Sequence, residues 1–234
     1  MTERPILFSA PMVRALLAGT KTQTRRLVKL PHQNPLGKWE PVQCGGPNGG
    51  RTRDGKILPL QQAIGHSRTG EILLCPHGQP GDRLWVRETW AGPLVDGDVA
   101  ERYGFDWADY RKPTFCSYAA DGGPRPEFMD ADGNLQQRWT SGIHMFRWAS
   151  RILLEVTEVR VERLQDISEA DAKAEGASFH DGLGIGHSGW RHDFGDVHGD
   201  ARSAYARLWE QINGPGSWAA NPWVWAVSFR MVTP

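Results

Sequence analysis

A lysine and a threonine three residues apart, Lys21 and Thr24, lie in GTKTQTRR at residues 19–26, and Arg25 and Arg26 follow at once. A threonine hydroxyl is too weak an acid to attack a carbonyl unaided, so it needs a base within hydrogen-bond reach. A lysine amine can be that base where burial or neighbouring cations depress its pKa toward neutrality. Arg25 and Arg26 are such cations, and one short turn can bring amine and hydroxyl together. A carboxylate from elsewhere must then orient the lysine or shuttle the proton. On spacing alone the segment reads first as a solvated basic loop, ahead of a clamp for nucleic-acid phosphates or a catalytic pair.

Other constellations are weaker. His180, His187, His192 and His198, with Asp193 and Asp196, lie in a glycine-rich stretch without HxxxH or HExxH order, which reads as a loop or lid and not as a metal site. GIGHSG at 184–189 fits GxGxxG by letter, but it neither follows a strand nor opens a helix. Glu155 and Glu158 are three apart in a strand-like run, which predicts opposite faces and no acid–base pair. His144 and Arg147 in GIHMFRWASR could line a pocket or serve structure.

The elements that must position these residues follow from periodicity. PILF predicts a strand at 5–8. Ser9, Pro11 and the apolar Met12, Val13, Leu16 and Leu17 predict a capped helix over 10–18, ended by Gly19. KTQTRRLV then leaves as an extended segment. EILLC at 71–75, RLWVRETWA from 83, RILLEVTEVRVERL at 151–164 and the closing NPWVWAVSFRMV read as strands, the third as one long strand or a hairpin. ISEADAKAEG predicts a two-turn helix with Ser168 as N-cap and Gly176 as terminator. ARSAYARLWEQING predicts an amphipathic helix with Tyr205, Leu208, Trp209 and Ile212 on its apolar stripe. Pro, Gly, Asn and Gln dominate 31–70, and 93–140 and 179–198 are similarly irregular, so these three stretches read as loop-rich insertions in one domain, 1–234.

Composition narrows the function classes. Lys+Arg and Asp+Glu both number 27, so a long nucleic-acid track, which needs a basic excess, is disfavoured. The first 30 residues nevertheless hold six basic residues against Glu3 alone, which suits one anionic or polar ligand. Three scattered cysteines argue against a disulfide framework or zinc finger, and no apolar run reaches membrane-spanning length, so a cytoplasmic protein without membrane partners is expected. The eleven tryptophans are assigned mostly to the core.

The blocks PILFSAPMVRALLAGTKTQTRR, CPHGQPGDRLWVRETWA, IHMFRWASRILLEVTEVRVERLQDISEADAKAEG and LWEQING…NPWVWAVSF together resemble the ASCH domain, a branch of the PUA-like superfamily, in its phage and prophage form. The resemblance implies an α+β fold: a PUA-like mixed β-barrel with short flanking helices and long loop insertions. Small ASCH proteins similar to this core are N4-acetylcytidine amidohydrolases with a lysine, a threonine and a glutamate at the site. Their KxxT falls on Lys21 and Thr24, their glutamate on Glu175 in AKAEGAS, and the arginine two beyond the threonine is Arg26.

The resulting expectation is a cofactor- and metal-independent hydrolase acting on a small modified nucleoside. Lys21 would be base, Thr24 nucleophile and Glu175 orienter or shuttle. Backbone N–H groups of Gly19–Thr22 would hold the oxyanion, and Trp85 with His144 would form an aromatic wall. The alternatives are a PUA-like RNA or modified-base binding module, with Lys21, Arg25, Arg26 and Lys29 on phosphates, and a ribonuclease built on the histidine loop.

Overall fold

The computed structural model describes residues 1–47, 50–51, 54–95, 106–129, 134–181, 188–192 and 195–233. Its centre is a five-stranded sheet of order β1-β6-β11-β14-β2, formed by β1 (Glu3–Leu7), β2 (Gln23–Leu27), β6 (Arg83–Arg87), β11 (Leu153–Arg163) and β14 (Trp223–Val232). β1 runs parallel to β6, and the other pairings are antiparallel. The predicted long strand at 151–164 is thus one strand and not a hairpin. Apolar residues from both termini fill one face: Ile6, Leu84, Leu154, Val159, Val227 and Phe229 share one buried cluster. Each such side chain contributes roughly 1.5–3 kcal/mol on burial.

The sheet is α+β in context but open, which corrects the expected barrel. β1 and β2 are its two edges, each only five residues long, and no ladder joins them among the described residues. α1 (Ala10–Leu17) connects these opposite edges. The seam is bridged instead by a side chain, Arg26 Nη2 donating to Leu7 O at 2.6 Å.

The stretch 31–70 holds more order than its composition suggests. β3 (Trp39–Cys44) and β4 (Gln61–His66) pair antiparallel, and β5 (Ile72–Leu74) completes a second sheet of order β3-β4-β5. Pro41 is tolerated because β3 is an edge strand. Gly65 admits the Val42 side chain, whose methyls would stand 3.2 Å from an added Cβ. Short pieces occupy the other two irregular stretches. In the first, β8 (Ser117–Tyr118) pairs with β7 (Trp90–Ala91), which lies just before the stretch, α2 (Trp107–Tyr110) is one turn, and β9 (Glu127–Met129) pairs with β10 (Leu135–Gln137). In the second, β12 (Ser178–His180) pairs with β13 (Gly189–Arg191). His187, Asp193 and most of GIGHSG lie outside the described residues.

Two helices cover the far side of the sheet's β2 edge. α3 (Glu169–Ala174) is capped as expected, Ser168 Oγ accepting from Asp171 N at 3.0 Å. α4 (Ala201–Asn213) starts at Asp200 and brings Tyr205 and Trp209 into a second buried cluster with Leu164, Ile167, Ala172 and Val224. Ser9, by contrast, occupies the N-cap position of α1 without a side-chain bond.

Candidate active site

α1 ends at Gly19, whose φ of +72° turns the chain so that Lys21 meets Glu175 in an isolated antiparallel bridge. Glu175 is the C-cap residue of α3, and Gly176 follows with φ of +102°. An added Cβ on Gly176 would stand 3.1 Å from Ala15 Cβ and 3.3 Å from Lys21 Cβ, so glycine here lets the two segments touch. Across 154 residues of sequence, Lys21 Nζ donates to Glu175 Oε2 at 2.7 Å and to Glu175 O at 2.9 Å. Lys21, Thr24 and Glu175 are buried, at 3%, 2% and 5% exposure.

Burial is the main influence that lowers the Lys21 pKa; the Glu175 carboxylate opposes it, and Arg26 and Arg25 add smaller downward contributions. The arginines are therefore secondary to desolvation. Arg25 is moreover neutralised by carboxylates. Its guanidinium bonds to Glu162 and to Gln23 Oε1, and lies 3.3 Å from Asp171 Oδ2 and 3.4 Å from Glu175 Oε1. A register shift in β11 between Val156 and Glu158 makes this possible. Leu154 and Val156 before it and Val159 and Val161 after it all enter the core, so the shift exchanges faces by one residue and turns Glu158, Arg160 and Glu162 outward together. It also places Glu155 and Glu158 on one face, against the sequence expectation, where each pairs with an arginine, Arg230 and Arg160.

Thr24, Arg25, Arg26 and Leu27 all line a cavity of about 80 Å³ with Glu175, Tyr205 and Trp209. Consecutive strand residues share a lining only where it lies against the strand's edge. β2 is such an edge. Phe229 N donates to Thr22 O and Val28 N to Trp223 O, so even-numbered residues face β14. The N–H groups of Gln23, Arg25 and Leu27 then point away from the sheet. The cavity adjoins a cleft of about 600 Å³ that shares Met12, Glu175, Leu208 and Ile212 with it and adds Arg14, Thr20, Ser178, His192 and Gln211. The smaller space suits a reacting end and the larger one a ligand body.

Two sequence expectations fail here. The N–H groups of Gly19 and Lys21 are used within the α1 turn, by Leu16 O and Ala15 O; that of Thr20 also goes to Ala15 O, and that of Thr22 to Ala174 O. None is left for an oxyanion. Trp85 lies on β6 beneath the Arg87 guanidinium, 5.3 Å from its ring, and His144 is exposed in a turn at Gly142–His144; neither lines the cavity or cleft. The aromatic lining comes from Tyr205 and Trp209, whose helical spacing is indistinguishable in sequence from a core stripe. Arg26 does reach the cavity, half-buried, with its guanidinium 5.3 Å from the Phe8 ring centre.

His192, which among the described histidines of that loop is the one lining the cleft, is held neutral: burial pushes its pKa down to about 4. Among the described residues no cluster of His, Cys, Asp and Glu could hold a metal ion. Cys44, Cys75 and Cys116 are free thiols, and no described helix is long and apolar enough to cross a membrane. Of the four cations of a phosphate-binding face, Lys21 and Arg25 are buried in ion pairs, Arg26 is half-buried and only Lys29 is exposed. In comparisons with known proteins, the chain matches no family model, no curated protein and no solved structure.

Proposed function

We propose that the chain is an amidohydrolase of the ASCH, PUA-like kind that removes an acyl group from the exocyclic amine of an N4-acylated cytosine nucleoside or base. The observation that supports this reading is the buried Lys21–Glu175 pair beside a cavity lined by Thr24. Burial lowers the Lys21 pKa and so favours its neutral form. Lys21 that has lost its proton is the free amine that Thr24 requires.

Thr24 Oγ then attacks the acyl carbon while its proton moves to Lys21 Nζ. The carbonyl electron pair shifts to oxygen, where the outward-facing Arg25 N–H can donate to it. When the pair returns, the C–N bond breaks and the cytosine amine leaves with the proton from Lys21. Water next adds to the acyl–Thr24 ester, giving its proton to the Lys21–Glu175 pair. The ester C–O bond breaks, Thr24 recovers its proton, and the carboxylic acid departs. The smaller cavity holds the acyl end and the cleft holds the rest of the substrate.

The test is a turnover screen on acylated cytidines and cytosines with Thr24→Ala beside wild type. The expected result is wild-type release of free cytidine or cytosine and a loss of roughly 10³-fold or more in Thr24→Ala. Wild-type turnover in both Thr24→Ala and Lys21→Ala would overturn the reading.

A further inference from the structure

Charge builds on the carbonyl oxygen as Thr24 attacks, and a hydrolase of this kind needs donors aimed there. The side-chain donors around the cavity are largely committed. Lys21 donates to Glu175, Arg25 bonds to carboxylates and Gln23, and Arg26 reaches Leu7 O. Arg25 Nε, Arg26 Nε and Trp209 Nε1 lack partners, but they are buried below the accessible surface.

Tyr205 stands differently. It comes from α4, lines the cavity with Thr24 and Glu175, and carries the Arg25 guanidinium 5.9 Å from its ring centre. The apolar cluster around it, with Leu164 and Trp209, would be filled equally by a phenylalanine, so packing does not account for the hydroxyl. Burial and the Glu175 charge hold Tyr205 ionisation well above its usual range, so the group stays an O–H donor at any working pH.

We propose that Tyr205 is a further catalytic residue of this site, its hydroxyl donating to the substrate's carbonyl oxygen during attack. The inference rests on the amidohydrolase reading. Tyr205 keeps its proton throughout: it stabilises the electron pair that moves onto oxygen, and that pair returns as the C–N bond breaks. With the Arg25 N–H on the strand edge it makes a two-donor pocket.

The experiment is Tyr205→Phe, with folding checked by its unfolding transition, beside wild type and Thr24→Ala on the best acylated substrate. Loss of one such donor is expected to lower kcat by roughly 10²–10³-fold. KM should stay within about 3-fold, because the bond strengthens only in the transition state. A tetrahedral boronate mimic of the acetyl centre should bind wild type more tightly than Tyr205→Phe by a similar factor. If Tyr205→Phe does not fold, 3-fluorotyrosine at position 205 preserves the packing, and its stronger donor should change kcat without changing KM. An active wild type, a dead Thr24→Ala and a fully active Tyr205→Phe would overturn this inference alone. An inactive wild type would overturn the amidohydrolase reading and the Tyr205 role with it.

Discussion

Replacing Glu175 by Gln isolates the energetics of the site. The substitution keeps size and the backbone carbonyl that accepts from Lys21 Nζ at 2.9 Å, but removes the carboxylate at 2.7 Å. Breaking a buried pair by deleting one partner costs about 3–5 kcal/mol, since the remaining charge stays desolvated. Lys21 has an escape: it can fold as the neutral amine. From its ordinary value of 10.5, losing the proton at pH 7 costs about 5 kcal/mol, and about 2 kcal/mol at pH 9. The sign follows directly. The unfolded lysine binds a proton that the folded amine does not, so stability rises with pH between the folded-state value and 10.5. Glu175→Gln is therefore expected to lose about 3–5 kcal/mol at pH 7 and to regain about 1.4 kcal/mol per pH unit toward pH 9, read from denaturant unfolding at pH 6, 7, 8 and 9. Wild type, whose carboxylate supports the ammonium, should show a shallower slope. A loss below about 1 kcal/mol with no pH slope would refute the claim that desolvation governs this amine.

Two further outcomes follow from burial and backbone geometry. His192 and His77 are both pushed down to about 4 by burial, so each is neutral in the fold while its unfolded counterpart protonates below 6.5. Stability is complete above pH 6.5 and falls as pH drops toward 4, by up to about 3 kcal/mol per histidine, and His192→Gln should flatten part of that slope in unfolding curves at pH 7 and 5. Gly176→Ala places a Cβ at φ of +102° and 3.1 Å from Ala15 Cβ, so it should cost about 2 kcal/mol or more by thermal unfolding and reduce turnover by displacing Glu175 from Lys21. A variant of wild-type stability would show that the segments do not need this close approach.

Much of the scaffold is legible in local sequence. The long strand 153–163, the capped helix from Ser168, the Gly19 and Gly176 stops and the terminal strand each carry their signal within about ten residues, because alternation, capping and positive φ are local demands. The sheet in 31–70 was hidden by Pro41 and its glycines, which an edge strand and close packing permit but composition does not announce. Periodicity also missed the face exchange in β11, because one inserted residue inverts the pattern.

The chemistry divides along the same line. By itself the sequence placed a lysine and a threonine three residues apart beside two arginines, and through the ASCH resemblance it pointed to Glu175. Whether the amine is desolvated, which N–H groups are still free and which aromatics face the cavity were decided only by tertiary structure. Those properties depend on partners 154 residues away and on β2 lying at a sheet edge, and no local pattern encodes such long-range contacts. For that reason Trp85 and His144 read as an aromatic wall in sequence, while in the fold that wall is Tyr205 and Trp209.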